Sequence, residues 1–486
     1  MESFSGILHP GASVYFVGIK GTGVCALAEL FHSMGIQAAG SDIPEVFYTD
    51  AILKELGIPC FESFDAGHIN DAIDLVIHSA AYSAQNNAEI GEALKKSIPV
   101  VAYPEALGRY SAAFNSTGIA GVHGKTTTTA MCGCLMRGLG VPAQVLVGSA
   151  VANFNGRSTL ALGNTYFIAE TCEYRKHFLS FHPQRIILTA VESDHQDFFP
   201  TYQSIRDAFV DYCRLIPPGG ELIYCADNPG ACEVARIIAD EGRGVALIPY
   251  GFTADGDFRI SSYRLENDRA LFRIAAFSQE FCLRIPGRHQ SLNAAAALAL
   301  ASVLVKKEFG GWNEPLQLAA QKALGEFAGS KRRSEIIGIA GGILFMDDYG
   351  HHPTAITTTL EGLRDFYPSR RIVVSFMSHT YTRTAALLDD FANSLAGADV
   401  LVLHRIYASA REQFNGKISG KDICDKIGNL QHKKAEVYYI DEPMDAIGPL
   451  QEILRPGDLF LTLGAGNNWP LGQALFRHYQ GSGVSL

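Results

Sequence analysis

The residues best equipped for chemistry sit in one glycine-rich stretch, Gly121-Val122-His123-Gly124-Lys125-Thr126-Thr127. An apolar run at residues 116–122 (STGIAGV) leads into it, and a helical pattern from about residue 125 to 138 follows. Glycines let the backbone approach phosphate oxygens, and the unpaired N–H groups of a new helix point at an anion. Lys125 would reach the β- and γ-phosphates, and the Thr126 hydroxyl would bind Mg²⁺. The general pattern G-x-x-x-x-G-K-[ST] asks for glycine where Ile119 stands, so the match covers the G-K-T end and an internal Gly121. A second glycine turn lies near the start, with Gly18, Gly21 and Gly23 following the strand-like residues 13–19 (SVYFVGI). Ser41 and Asp42 end the next strand, where an acid that reads a ribose or base would sit. Two readings of this turn stand together: a nucleoside diphosphate bound across it, or a structural turn. Two nucleotide sites in one chain, one with the lysine that ATP requires, point to ATP plus a nucleotide-linked substrate.

Elements of defined type must position these turns. Residues 24–34 have helical spacing, and residues 37–39 and 74–79 read as short buried strands. Strand–helix alternation of this kind predicts parallel sheets with crossover helices. Further strands are expected at residues 166–169, 185–190, 221–225 and 245–250. Antiparallel strands are expected within residues 258–286, then an Ala- and Leu-rich helix from about 290 to 306. After a break at residues 327–330, strands are expected at 343–346, 371–376, 399–404, 437–440 and 458–463, separated by helices near 355–365, 382–396 and 442–453.

The length of 486 residues agrees with about three domains. The expected fold is α/β with three units. Residues 1–112 form a Rossmann-like domain, 113–328 a P-loop-type mononucleotide-binding domain with added antiparallel strands, and 329–486 a second Rossmann-like domain. Hydrophobic residues at 47% and charged residues at 19% describe a globular chain and exclude disordered, coiled-coil and collagen-like classes. A net charge of −10 argues against non-specific binding to nucleic acid or a membrane surface. Ten scattered cysteines with no C-x-x-C pair read as reduced, mostly buried thiols. The opening residues lack a charged start and apolar core of the leader type, and no apolar run approaches about 18 residues, so a cytoplasmic enzyme is the expectation.

In order along the chain, FVGIKGTG, GVHGKTTTT, AETCEYRKHFL, VESDHQDFF, GRHQSLNAAAALA, KRRSE, DDYGHHPT and HTYTRT together resemble the Mur ligases over nearly the whole chain. The resemblance implies an ATP- and Mg²⁺-dependent ligase of three domains. It would join the lactyl carboxylate of UDP-N-acetylmuramate to L-alanine through an acyl phosphate, as monomer or homodimer. DDYGHHPT is the most discriminating run within the family, and Gly350 favours alanine over the relative that attaches a ready-made peptide. A nicotinamide oxidoreductase is the reading from another class, but it leaves Lys125 and Thr126 unexplained.

The resemblance also assigns residues. Gly121, Val122, His123, Gly124, Lys125, Thr126 and Thr127 hold ATP phosphates. Glu173 and His195 join Thr126 as metal ligands, with Glu170 the alternative acid. Asn293 lies near the adenine, Arg332 or Arg333 reaches the ATP phosphates, and Asp348 lies near the nucleotide. Tyr349 and His351 face the amino acid, and Arg383 neutralises its carboxylate. Gly18, Gly21, Gly23, Ser41, Asp42 and Ser79 face the nucleotide sugar. From the residues alone, Glu173 beside Arg175 and Lys176 reads first as a solvated charge, and His195 beside Asp194 and Asp197 equally as a capping or core histidine. The chain departs from the common family pattern at Thr171–Arg175, which carries fewer acids, and at Ala190, Gln290 and Thr380.

Overall fold

The computed structural model describes residue 4, residues 9–196, 198–408, residue 412, and residues 416–430 and 435–481. Asp197 and most of the opening segment lie outside the described residues. The first sheet holds β1 (Ser13–Val17), β2 (Gln37–Ser41), β3 (Cys60–Phe61), β4 (Leu75–His78) and β5 (Val100–Ala102), ordered β3-β2-β1-β4-β5. Every pairing is parallel. The chain winds outward from β1 to one edge, then crosses to build the other, so the crevice between β1 and β4 is a topological switch point. The Gly18–Gly23 turn occupies that point. It leads into the helix Thr22–Ser33, which is buried on every side from Val24 to Phe31. No side chain caps that helix start at Gly21.

The second sheet has ten strands in the order β15-β14-β13-β12-β11-β10-β6-β9-β7-β8. They are β6 (Asn115–Ala120), β7 (Ala143–Val151), β8 (Arg157–Ala161), β9 (Tyr166–Glu170), β10 (Arg185–Leu188), β11 (Glu221–Cys225), β12 (Ala246–Gly251), β13 (Phe258–Leu265), β14 (Ala270–Ile274) and β15 (Glu280–Leu283). β6 is central, flanked in parallel by β10 and β9. Residues 258–286 form the expected antiparallel strands, since β13 pairs β14 and β14 pairs β15 in that sense. The helices Lys125–Leu139 and His289–Phe309 cover one face of the sheet in a single apolar cluster that includes Met131, Leu135, Leu298 and Phe281.

The third sheet orders β16 (Glu335–Ala340), β17 (Ile343–Asp348), β21 (Leu459–Leu463), β18 (Ile372–Phe376), β19 (Val400–Leu403) and β20 (Glu436–Tyr439). Only the edge strand β16 runs antiparallel to its neighbour. The five strands foreseen in this unit are all present. The single helices expected at 382–396 and 442–453 are each broken. Leu387, at φ −120, separates Tyr381–Ala386 from Leu388–Leu395. A 3₁₀ turn at Pro443–Ala446 precedes the helix Ile447–Ile453, whose first turn holds Pro449, where a missing N–H costs least.

The linker between the second and third units follows residues 327–330. The Lys331 N–H donates to the Ala150 carbonyl (2.8 Å) and the Ser149 hydroxyl to the Lys331 carbonyl (3.0 Å), so the linker is stitched to β7. The backbone turns just after it, where Arg332 and Ser334 take left-handed φ of 58° and 46°. All ten cysteines are free, with Cys25, Cys132, Cys134, Cys213 and Cys225 buried and Cys172 exposed.

Candidate active site

The phosphate loop forms where β6 ends at Ala120 and the helix begins at Lys125. Gly124 caps that helix at φ 80°, and a Cβ there would lie 2.7 Å from Asn293 Oδ1. Only glycine both adopts this conformation readily and leaves the cradle open. The Val122 N–H bonds the Ala190 carbonyl (2.9 Å), and the Thr189 hydroxyl donates to the His123 carbonyl, which ties the loop to the end of β10. Thr127 is buried and lines the adjoining cleft.

Lys125 spans the loop. Its Nζ donates to the Gly121 carbonyl and lies 2.9 Å from Glu173 Oε2. Burial opposes the charge on Lys125, yet Glu173 and Glu170 hold its pKa above the ordinary value. For Glu173, burial would raise the pKa, but Lys125 and the His195 hydrogen bond bring it below the usual carboxylate range. His195 Nε2 lies 3.3 Å from Glu173 Oε1, and His195 takes a left-handed φ of 53°. Glu173 is therefore no solvated charge: it is buried between a lysine and a histidine. Thr126 hydroxyl donates to Glu170 Oε2 (2.9 Å), which also accepts the Gly148 N–H (2.9 Å). This hydroxyl–carboxylate pair at a helix start is the oxygen-donor chemistry Mg²⁺ prefers, and the open cradle at Gly124 admits phosphates, so the residues present fit Mg²⁺ and a triphosphate.

A cleft of about 610 Å³ runs from the loop between the second and third units, lined among others by His123, Asn293, His289, Phe252, Arg333 and Asp348. Asn293 donates to Gln290 Oε1 (3.0 Å) and accepts from Thr128 (3.2 Å). Arg288 stacks over Phe252 at 3.8 Å. At the cleft mouth His123, Glu192 and His352 bring one donor atom each within 4.8 Å of one another, although His352 Nδ1 already accepts the Thr354 N–H (3.3 Å). Arg332 does not face the cleft freely: it bonds Asp347 (3.1 Å) and the Gly464 carbonyl (2.6 Å). Arg333 lines the cleft instead. Asp348 accepts the Gly350 N–H of its own turn and the Ser334 N–H of the linker at 2.7 Å each. Tyr349 lies 5.0 Å from each of the Arg332 and Arg333 guanidinium carbons.

Arg383 reaches across the seam. Its Nη2 donates to Asp194 Oδ1 (2.8 Å), which also accepts the His195 N–H (2.7 Å). Burial opposes the charge on Asp194, but Arg383, with His195 beside it, holds its carboxyl far below the usual range. His351 Nδ1 lies 2.9 Å from the Tyr349 carbonyl, and burial, then Arg383, keep this imidazole neutral by pushing its pKa well down. The Asp194–Arg383 pair was missed in the sequence. Both residues stood in noted runs, but they are 189 positions apart and nothing in either run names its partner.

The first glycine turn meets the central unit across a smaller pocket of about 160 Å³, lined by Gly23, Tyr103, Glu170 and Cys172 among others. Gly18 sits at φ 80° with its Cβ position only 2.9 Å from the Ser79 side chain, so the turn and β4 approach closely. Gly21 and Gly23 flank the uncapped helix start. Asp42 accepts the Lys20 N–H (2.7 Å) and its neighbour's N–H (2.8 Å), which makes it a brace of this turn. Ser41 is fully buried and donates to Glu89, which also takes bonds from Tyr15 (2.9 Å) and His68 (2.7 Å).

Fold and site define a three-unit α/β enzyme with a phosphate loop in its central unit and doubly wound sheets on either side. Family models match in the same order: "Mur ligase family, catalytic domain" over residues 13–115, "Mur ligase middle domain" over 119–301 and "Mur ligase, glutamate ligase domain" over 332–466. The chain belongs to the Mur ligase family, whose members are ATP-dependent ligases. It is 49% identical over 470 residues to the UDP-N-acetylmuramate–L-alanine ligase of Treponema pallidum (strain Nichols), covering 97% of each chain. The crystal structure of the UDP-N-acetylmuramate–alanine ligase of Thermotoga maritima matches with a TM-score of 0.75 at 25% identity, covering 97% of this chain and 99% of that one. A murein peptide ligase from Psychrobacter arcticus shares the fold with a TM-score of 0.65 at 23% identity, over 98% of this chain and 100% of that one. No described helix is long and apolar enough to cross a membrane.

Proposed function

We propose that this chain joins L-alanine to the lactyl carboxylate of UDP-N-acetylmuramate at the expense of ATP, releasing ADP and phosphate. The observation that carries this reading is the 49% identity, across 97% of both chains, to a ligase named for those substrates. A carboxylate is a poor acylating agent at neutral pH. Transfer of the γ-phosphoryl group makes an acyl phosphate, the amine attacks its carbonyl carbon, and phosphate leaves. Such chemistry needs cations and positioning more than a protein nucleophile.

In this reading, the first sheet's glycine turn presents helix N–H groups to the nucleotide sugar, the central loop takes ATP, and the third unit brings the amino acid. Residues 1–112, 113–328 and 329–486 are the corresponding domains. Lys125, paired with Glu173, turns to the triphosphate when it enters. Thr126 with Glu170, and Glu173 with His195, are the donor sets that would hold Mg²⁺, which when bound supplies positive charge to the transferring phosphoryl group. Arg333 lines the cleft and is the arginine placed to reach phosphates after closure, with Arg332 bracing its turn. Arg383 takes the amino-acid carboxylate, with Tyr349 and His351 beside it.

The test is ADP release by the full chain with UDP-N-acetylmuramate and L-alanine, against the same sugar with a tripeptide. Faster turnover with L-alanine is expected, and faster turnover with tripeptide would overturn the choice of amino acid. Lys125→Ala is expected to abolish both ADP and amide formation. Retained ADP release in that variant would remove Lys125 from the ATP site.

A further inference from the structure

We propose that Asp194 is a positioning residue that holds Arg383 in place for the amino-acid carboxylate and ties that capture to the His195 side of the site. The proposal rests on the reading that an amino acid docks at Arg383. Three observations carry it. The Asp194–Arg383 pair is 2.8 Å long with side chains only 4% and 7% exposed, so it is a desolvated ion pair across the seam between two units. Removing one partner of such a pair leaves the other charge buried and uncompensated.

The same Asp194 oxygen accepts the His195 N–H at 2.7 Å, and His195 sits at a left-handed φ of 53°. A non-glycine residue in that region persists only where its surroundings hold it. One carboxylate atom therefore fixes both the backbone of the histidine beside Glu173 and the guanidinium arriving from the other unit.

The remaining donors of Arg383 show where a ligand belongs. Nη1 is turned to the His379 carbonyl (3.3 Å), Nη2 to Asp194, and Nε is buried without a hydrogen-bond partner. An unpaired buried donor is costly, and a guanidinium edge made of Nε and the second Nη2 hydrogen matches the two oxygens of a carboxylate. Asp194 anchors the group through Nη2 and leaves Nε unpaired, and a small α-amino acid carboxylate is an acceptor that would pair it.

The experiment compares Asp194→Asn and Asp194→Glu with the wild-type chain. Asparagine keeps the size and an acceptor for the His195 N–H but removes the charge. The KM for L-alanine is expected to rise roughly tenfold or more in Asp194→Asn, since a desolvated charge pair is lost. The KM values for ATP and nucleotide sugar should stay within about threefold, and Asp194→Glu should recover part of the loss. Equal changes in all three KM values, or none, would overturn the proposal. A crystal structure of Asp194→Asn is the second readout, with Arg383 expected to leave its position while β18 and its neighbours stay. An Arg383 that keeps its place sinks the positioning role even if alanine is the substrate. A wild-type enzyme that turns over peptide but not alanine sinks the substrate reading while a displaced Arg383 leaves the positioning role standing.

Discussion

His289 shows how one residue records the cost of burial in the cleft wall. It starts the helix that carries Asn293, and its Nδ1 is buried without a hydrogen-bond partner. Burial pushes its pKa down to about 4, against a small opposing pull from Asp348. The unfolded chain has a histidine near 6.5, so it takes up a proton that the folded chain refuses. The neutral histidine's contribution to stability is thus complete above about pH 6.5 and is lost as pH falls toward 4, by up to roughly 3 kcal/mol. His289→Asn removes that proton site. Its melting temperature is expected to fall less steeply than wild type between pH 6.5 and 4, and parallel melting curves across that range would contradict the assignment. Lys125 and Glu173 take the opposite course, since each charge is buried but paired, and both stay ionised.

At the scale of elements, the phosphate loop is a join whose geometry is decided by Gly124. Alanine there would have to hold φ near 80° with its Cβ 2.7 Å from Asn293 Oδ1. A left-handed residue costs about 1–2 kcal/mol, and the displaced Asn293 belongs to the cleft wall. Gly124→Ala is expected to lower the melting temperature and raise the KM for ATP, leaving the KM for the nucleotide sugar near wild type. An unchanged KM for ATP would show that the loop tolerates a side chain. The loop was legible in the sequence because strand, glycines, lysine and helix follow one another locally. The same locality made β1, β6, β10 and the long strands of the third unit readable from their β-branched runs. Strands β3 and β5 are two and three residues long, too short to show alternation. β7 and β8 sit among glycines and small residues (AQVLVGSAV, RSTLA), and the pairing of β7 with β9 and of β8 with β7 decides their state. Whether Arg332 or Arg333 faces the cleft depends on a left-handed turn at Arg332 that no spacing rule reveals.

The whole molecule carries a net charge of −10 and, in the proposed reading, handles two polyanionic nucleotides. It does so with cations that already have internal partners: Lys125 with Glu173, Arg383 with Asp194, Arg332 with Asp347. In the proposed reading Lys125 exchanges Glu173 for phosphate, while the Asp194 and Asp347 pairs stay in place as braces. The seam between the second and third units is polar. It is crossed by the Asp194–Arg383 pair, by His123 and His352 rings 5.4 Å apart, and by the stitched linker ending at Lys331. Interfaces of this kind within a chain favour relative motion by default, and the backbone leaves the stitched linker through left-handed residues at Arg332 and Ser334. Ligands that bridge the cleft should then shift the chain toward the closed arrangement. Small-angle scattering is expected to show a smaller radius of gyration with a non-hydrolysable ATP analogue plus UDP-N-acetylmuramate than without ligands. Curves that superpose in the two conditions would mean that the units are already docked, and that the site is completed by side-chain movement alone.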